Sequence, residues 1–366
     1  LLAELKLHNF LLIFPFLFID SKYRLVIFAS MNTQQKRIVT AWLYSGLLLI
    51  AIMVIVGGIT RLTHSGLSMV EWKLIGGAIP PLNDTQWQET FNKYQQFPEY
   101  QKINTGMSLS EFKSIFFWEY LHRLLGRLIG LIFIIPFIIF WIKKWLNLKQ
   151  KKQLLILLGF GALQGFLGWF MVKSGLVDVP AVSHYRLATH LVTAFGLMCY
   201  IYWLTLSFNT IEKIPNKTLQ KLSKYLIIAL IIQIIYGAFV AGLKAGYLLP
   251  KGGGFFESVF GYKFRNANDF SLLNNSFDIQ AFHRLFAWVV FCISLFIFKK
   301  SRNTNLVKIG NIIFGLVIFQ IILGVMTLLL RVQIHTATTH QFIAIILLLS
   351  VVRLTYLSSE KSQLSA

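Results

Sequence analysis

The sequence is poor in charged residues, and acidic residues are the scarcest of them. Only 13% of the 366 residues are charged and 56% are apolar, whereas a soluble globular protein carries about 25% charged residues. The mean hydropathy is +0.64. These values argue against a soluble enzyme and indicate an integral membrane protein.

Cysteine is almost absent as well. The two cysteines, Cys199 and Cys292, lie far apart inside apolar runs. Nothing in their spacing indicates a disulfide framework or a thiolate metal site.

The net charge of +21 first suggests a nucleic-acid partner. The basic residues, however, fall in short clusters between long apolar runs, which is the distribution that the positive-inside rule produces in membrane proteins. We therefore expect a lipid bilayer around this chain and no nucleic acid.

Eight apolar runs are long enough to cross a bilayer, which needs about 20 residues per helix. They cover residues 41–60, 114–141, 153–172, 186–208, 225–243, 281–298, 310–330 and 337–357. The sequence thus predicts an all-α integral membrane protein with eight transmembrane helices. The long segments 61–113 and 244–278 are expected to cover one face of it.

The orientation follows from the loop charges. The loops after spans two, four and six hold thirteen basic residues and one acid, Glu212, whereas the loop 61–113 holds five of each sign. Both termini are therefore expected on the cytoplasmic side, or on the matrix side in a mitochondrion. The first thirty residues fit this pattern poorly. We expect Met31 to be the natural start and residues 1–30 to be an artefact of gene-start assignment.

The two halves of the chain resemble each other. His122-Arg123-Leu124 recurs as His283-Arg284-Leu285, and Gln164-x-x-x-Gly168 recurs as Gln320-x-x-x-Gly324. His190 corresponds to His340, so the offsets are 161, 156 and 150 residues. We interpret this as a duplication that yields two parallel four-helix-bundle repeats, over residues 31–210 and 211–366.

Four histidines occupy equivalent places on spans two, four, six and eight: His122, His190, His283 and His340. Ionisable residues within a membrane are costly and are functional candidates. One histidine on each of two facing helices is the arrangement that holds a haem between two imidazoles in a four-helix bundle. The duplication then predicts two haem sites at one level near the outer face.

Other interpretations of these histidines stay open. A zinc site would gather three or four ligands, with carboxylates or thiolates among them, and two separate histidine pairs fit haem better. A respiratory cytochrome b would place two histidines on each of two helices, stacked across the membrane, whereas this sequence has one per helix at one level, which argues against such a transmembrane electron path. A hydrogen bond across the bundle would by itself explain the presence of a single histidine within a span.

A carboxylate lies beside only one of the two predicted sites. Glu119 precedes His122 by three residues, so the two side chains share a helix face, while Gln280 holds the equivalent place before His283. The asymmetry suggests that proton-coupled chemistry takes place at the first site and electron transfer at the second. The alternative is an ordinary acid near a helix N-terminus.

Arginines flank the predicted ligands. Arg123, Arg127, Arg186 and Arg284 are candidates for binding the anionic propionates of a haem. Arginines at span ends also anchor helices by snorkelling, so this assignment is a hypothesis.

Several longer motifs carry a resemblance to a known family. GGITRLTHSGLS at 57–68, EW at 71–72, FWEYLHRLLGR at 117–127, YRLATHL at 185–191 and TTHQ at 338–341 are similar to haem A synthases, in the branch found in mitochondria and related bacteria. The resemblance covers about residues 31–353. This chain lacks the cysteine pair that another bacterial branch of the family carries in the first outer loop, so a thiol-based mechanism does not carry over.

The resemblance implies an oxidoreductase that converts haem O to haem A for cytochrome oxidase. The porphyrin C8 methyl would be hydroxylated twice and lose water to give a formyl group. His122 and His190 would hold the substrate haem O with Glu119 as the catalytic residue, and His283 and His340 would hold a haem B cofactor. Implied partners are the haem O synthase (a farnesyltransferase), cytochrome oxidase assembly and a ferredoxin-like electron carrier, with a homo-oligomer in the bacterial or mitochondrial inner membrane.

Two other function classes would also accept four axial histidines. One is a membrane cytochrome that transfers electrons without altering its haem, and the other is a haem carrier without turnover. Neither predicts a carboxylate beside one haem only. A substrate haem with two histidine ligands also lacks an open iron position, so either a ligand leaves during turnover or electrons leave through the porphyrin, and the sequence does not choose between these.

Overall fold

The computed structural model of the chain describes residues 31–72, 76–177, 179–209, 211–248, 261 and 270–360. These residues form ten α-helices, two short 3-10 turns and no strand. The expectation about residues 1–30 lies outside the described residues.

Eight of the helices within the described ranges are long and apolar enough to cross a membrane, which confirms the predicted all-α membrane fold with eight spans. In chain order the helices are α1 (Thr33–Leu62), α2 (Asp84–Tyr94), α3 (Pro98–Lys102), α4 (Leu109–Ile142), α5 (Leu148–Lys173), α6 (His184–Phe208), α7 (Lys217–Gly242), α8 (Ser276–Ser301), α9 (Val307–Leu329) and α10 (Ile334–Leu357). The short α2 and α3 do not span.

Side-chain caps determine where several spans begin. Asn32, Ser108 and Asn147 each form a reciprocal capping box with the residue three positions later, at the starts of α1, α4 and α5. Such a cap satisfies amide groups that the first helical turn leaves without partners. The box at Ser108 starts α4 five residues before the predicted span, so its first turns project beyond the apolar run.

The centre of the molecule is α6. In its most apolar stretch 72% of the residues are buried inside the protein, whereas the value is 11% for α4 and 6% for α5. The two peripheral helices therefore present most of their surface to lipid. This agrees with their large exposed apolar side chains, such as Leu131, Ile135 and Phe166.

The helices pack in two groups of four. In the first group α1 contacts α4 and α6, and α5 contacts α6; in the second, α7 contacts α8 and α10, and α9 contacts both α8 and α10. The groups meet where α6 lies against α7 and where α10 lies against α1 and α6. The duplication of residues 31–210 as 211–366 stays a prediction, with which this packing is compatible.

The segment between α1 and α4 folds as a small aromatic unit on α4. Phe91 and Tyr94 of α2 pack against Phe112 and Phe116 of α4, with Phe112 5.0 Å from each of the first two rings. Tyr120 of α4 also donates a hydrogen bond to the carbonyl of Ala78 at 2.8 Å. These contacts hold the segment on the end of the bundle that carries the histidines.

Candidate functional site

Each of the four predicted ligand histidines faces a glycine on a neighbouring helix. An ideal Cβ built on the glycine would lie 3.0 Å from His122 for Gly57, 3.3 Å from His190 for Gly168, 3.1 Å from His283 for Gly237 and 3.3 Å from His340 for Gly324. A side chain at any of these positions would press on the imidazole ring. Glycine is therefore what allows each histidine to occupy its place.

The four glycines lie at one level in the bundle. Each is five residues before the last residue of its helix, namely Leu62 in α1, Lys173 in α5, Gly242 in α7 and Leu329 in α9. The four imidazoles consequently lie close to the same end of the bundle. Within it, His122 and His190 are near enough to interact electrostatically, as are His283 and His340. The structure thus brings the histidines together in the pairs that the sequence predicts.

Three glutamines fix the backbone of three of these histidines. The amide groups of Gln164, Gln233 and Gln320 donate hydrogen bonds to the carbonyl oxygens of His190, His283 and His340 at 3.1, 2.9 and 3.1 Å respectively. Each glutamine precedes its glycine by four residues, one helical turn. Met53 holds this position before Gly57.

The sequence reasoning missed part of this arrangement. It identified the Gln-x-x-x-Gly pattern at 164–168 and 320–324, but not the third copy at Gln233 and Gly237, which has the same spacing. Gly57 was noted only as part of the GGITRLTHSGLS motif and not as a contact of His122, because no glutamine marks it. A search for the pattern over the whole chain would have found the third copy.

These residues fit a haem. The Nδ1 atoms of His190, His283 and His340 are buried and, in the part of the chain that the structure describes, accept or donate no hydrogen bond. No group of three or more His, Cys, Asp or Glu side chains that could hold a lone metal ion occurs among the described residues. Paired imidazoles in an apolar bundle, with glycine clearance at each ring, match the requirements of a bis-histidine haem.

Glu119 is buried, with 3% of its surface exposed, one helical turn before His122. Its Oε2 accepts hydrogen bonds from Ser68 Oγ and from the Met69 amide, both at 2.8 Å, and its Oε1 accepts one from Arg123 Nη2 at 2.6 Å. The carboxylate thereby ties the segment after α1 to α4. Two hydrogen-bond donors and one cation therefore surround this buried carboxyl group.

Gln280, at the position equivalent to Glu119, also binds the segment that follows the preceding helix. Its amide donates a hydrogen bond to the carbonyl of Ala245 at 2.8 Å. The two residues therefore have the same location and opposite chemistry: Glu119 accepts three hydrogen bonds, whereas Gln280 donates to a carbonyl. Only the first site has an ionisable group at this place.

The predicted propionate ligands have different surroundings. Arg123 donates to the carbonyls of Glu71 and Met69 at 2.9 and 2.8 Å, and its guanidinium lies 4.8 Å from the Trp72 ring. Arg123 therefore takes part in the contact between Glu119 and the segment that follows α1. Arg127 lies one turn further along α4.

The other two arginines each bind a backbone carbonyl. Arg186 donates to the carbonyl of Phe170 at 2.7 Å and lies over its ring, and Arg284 donates to the carbonyl of Gly261 at 3.0 Å. A role in propionate binding stays a prediction for all four arginines.

A second buried carboxyl lies in the segment between α1 and α4 (residues 63–108), which is called the outer segment below. Glu99 in α3 is 6% exposed and accepts a hydrogen bond from the Tyr94 hydroxyl at 3.2 Å; that hydroxyl in turn accepts one from the Asn104 amide at 2.7 Å. Burial, and next the negative charge of Glu119, raise the pKa of Glu99 to about 7. This carboxyl was not singled out from the sequence, because its burial depends on how the loop folds.

Comparison with known proteins bears on what this arrangement does. Residues 40–352 match a family described as cytochrome oxidase assembly protein. The chain belongs to this family.

Its relatives include the heme A synthase of Flavobacterium johnsoniae, 45% identical over 333 residues that make up 86% of this chain and 96% of the relative. The heme A synthase of Flavobacterium psychrophilum is 46% identical over 331 residues, with the same coverage. That of Brucella anthropi is 39% identical over 332 residues, 87% of this chain and 92% of the relative. The resemblance noted in the sequence is thereby confirmed.

Proposed function

We propose that this protein is a haem A synthase, an oxidoreductase that converts the C8 methyl group of haem O into a formyl group. The observation that carries the proposal is the pair of equivalent histidine sites of which one alone has a carboxylate, Glu119, beside it. The names of the relatives and of the family support the same conclusion.

His122 and His190 would hold the substrate haem O, and His283 and His340 a haem B cofactor. When bound, haem B supplies a one-electron carrier next to the substrate site. Gln233 and Gln320 keep the ligand backbones in place on the cofactor side, and Gln164 does so for His190.

Glu119 would manage protons at the substrate. Turning a methyl group into a formyl group removes C–H bonds, so protons as well as electrons leave the carbon. A carboxylate held one turn from His122 could take up a proton at Oε2 once Ser68 or the Met69 amide moves away. Arg123 would then keep the carboxylate in place through Oε1.

The setting follows from this assignment and from the loop charges. The histidine level lies on the side opposite the basic loops, hence outside the cytoplasm or matrix, with both termini inside. The protein would lie in the inner membrane of a bacterium or a mitochondrion. It would receive haem O from the farnesyltransferase that makes it and exchange electrons with a ferredoxin-like carrier, with a homo-oligomer as the proposed assembly.

The test is extraction and chromatography of haems from cells that contain this chain and a source of haem O. We expect haem A with the wild type, and haem O without haem A with Glu119→Gln. Glu99→Gln is the matched control, since it removes a different buried carboxyl, one that lies outside the spanning helices, and should leave haem A formation in place.

Two outcomes would contradict the proposal. Haem B as the only haem in wild type and variant alike, with an unchanged bis-histidine spectrum, would favour an electron-transfer cytochrome. Haem O bound without any conversion in the wild type, in cells that supply oxygen and reductant, would favour a haem carrier.

A further inference from the structure

The two helix groups differ in one seam, the line along which two neighbouring helices meet. In the second group α8 and α9 pack along each other extensively, whereas the equivalent pair, α4 and α5, makes only sparse contact. α5 is also the least buried of the spans among the described residues. The group that contains His122 and His190 is therefore open to the bilayer on one side.

Three glycines of these two helices face open space. No described atom lies within 4 Å of an ideal Cβ on Gly130 of α4 or on Gly161 and Gly165 of α5. The offsets of 161 and 156 residues pair these positions with Phe291, Val317 and Ile321 in the second group.

The paired residues close the seam in the second group. The ring of Phe291 on α8 lies 5.6 Å from that of Phe314 on α9, and Phe298 lies 4.9 Å from the same ring. Val317 is buried, at 1% exposed. Large side chains thus fill the α8–α9 seam at the positions that correspond to glycines in the α4–α5 seam.

A cavity of about 210 Å³ lies at the outer end of the open seam. Its lining includes Met69, Val70 and Trp72 of the outer segment, Arg123 of α4, and Trp169 and Lys173 of α5. Lys173 Nζ lies 5.1 Å from the Trp169 ring. Gly168, whose Cβ would meet His190, directly precedes the lining residue Trp169 in α5.

The lining indicates the chemistry of what passes through the seam. Indole rings suit a flat apolar body, the Lys173 ammonium suits a carboxylate, and the open helix faces below them suit a hydrocarbon tail in lipid. A haem that carries an isoprenoid tail combines these three parts.

We propose that the gap between α4 and α5 is a lateral portal through which the tailed substrate haem moves between the bilayer and the His122–His190 site. This rests on the proposed function and adds a route to it. The closed α8–α9 seam retains the cofactor haem, which has no need to exchange during turnover.

The test fills the portal with the residues of the closed seam. The full-length variant Gly130→Phe/Gly161→Val/Gly165→Ile and the wild type are placed in lipid vesicles and mixed with vesicles that contain haem O. The haem O bound to the protein over time is measured by extraction and chromatography, and haem B per protein is measured alongside it as a check on folding.

We expect the filled variant to keep its haem B and to take up haem O about tenfold more slowly than the wild type, because the ring and its tail then lack an open path. The matched control is Gly159→Val. Gly159 also has no described atom near its Cβ, but it lies about half a turn around α5 from Gly161 and should load as the wild type does.

Equal loading rates in the wild type and the filled variant, with haem B intact, would overturn the portal and leave the proposed function standing. Failure of the wild type itself to bind haem O would overturn both.

If the filled variant loses haem B, the reciprocal variant Val317→Gly/Ile321→Gly tests the proposal instead. Opening the second seam should make its haem B exchange with haem in vesicles at least about tenfold faster. An unchanged exchange rate would overturn the proposal.

Discussion

Arg123 Nη2 lies 2.6 Å from Glu119 Oε1, and both side chains are almost completely buried, at 7% and 4% exposed. The same guanidinium holds the carbonyls of Met69 and Glu71. This ion pair is thus the point at which the outer segment is fastened to the helix that carries His122. Any change at Glu119 therefore affects this loop contact as well as the carboxylate itself.

Removing the positive charge of Arg123 alone should therefore lower stability more than removing both charges of the Glu119–Arg123 pair. Arg123→Gln leaves a buried carboxylate without its partner, and we expect it to lower the free energy of unfolding by about 3–5 kcal/mol. The double variant Glu119→Gln/Arg123→Gln should recover part of this loss. Thermal unfolding of the purified proteins in detergent measures both.

An exposed ion pair in the same segment is the control for this prediction. Lys93 lies 2.6 Å from Glu71, with the two side chains 51% and 44% exposed. Lys93→Gln should change stability little, because water and salt screen an exposed pair. Equal losses of stability in Lys93→Gln and Arg123→Gln would show that burial does not make the Glu119–Arg123 pair more important than the exposed one.

The glycines beside the histidines should be needed for haem retention. In Gly324→Ala the new methyl group would lie 3.3 Å from His340 Cε1, so the ring must shift by a few tenths of an ångström. We expect haem B to bind roughly tenfold more weakly, as when other groups that orient a metal ligand are altered. Gly315→Ala on the same helix meets no described atom and should retain haem B normally. Equal haem content in both variants would contradict this account.

The outer segment should loosen as the pH rises. The pKa of Glu99 is raised from 4.5 to about 7 by burial and by the charge of Glu119, so the folded state binds the proton more tightly than the unfolded state. Its contribution to stability is fully present below about pH 4.5, is lost progressively as the pH rises towards 7, and amounts to about 3 kcal/mol.

Limited proteolysis of residues 84–108 across this pH range measures the effect. The charged or titratable groups that bear on Glu99 are Tyr94, Glu119 and Lys244. Glu99→Gln cannot ionise and should abolish the increase in cleavage between pH 5 and 7. An increase of the same size in the variant would assign the effect to another group.

Gln280 should not accept replacement by a carboxylate. Its amide donates to the carbonyl of Ala245, and the Gln280→Glu substitution would place an acceptor against an acceptor at a site that is 6% exposed. This variant should lose about 3 kcal/mol of stability or bury a protonated acid. Gln280→Met separates the loss of the hydrogen bond from the effect of charge. A fully stable Gln280→Glu variant that remains ionised would contradict the prediction.

The membrane spans and the ligand candidates were accessible from the sequence for a simple reason. A helix in lipid must satisfy its own backbone groups within about 20 apolar residues, so the spans are visible as runs. Histidines inside such runs are equally visible, and their order in the chain places them on facing helices. The glycines Gly57 and Gly237 were not identified, because an apolar span tolerates glycine at many places for many reasons.

The sequence by itself determined the eight helices and the four histidines with one carboxylate among them, whereas the side of the membrane on which the basic loops lie stays a prediction. These properties depend on local composition and on spacing within single helices. Only the tertiary structure decided which glycine faces which imidazole, that Arg123 binds Glu119, that Glu99 is buried, and that α4 and α5 part where α8 and α9 meet. Those relationships arise from contacts between segments far apart in the chain, which no local pattern specifies.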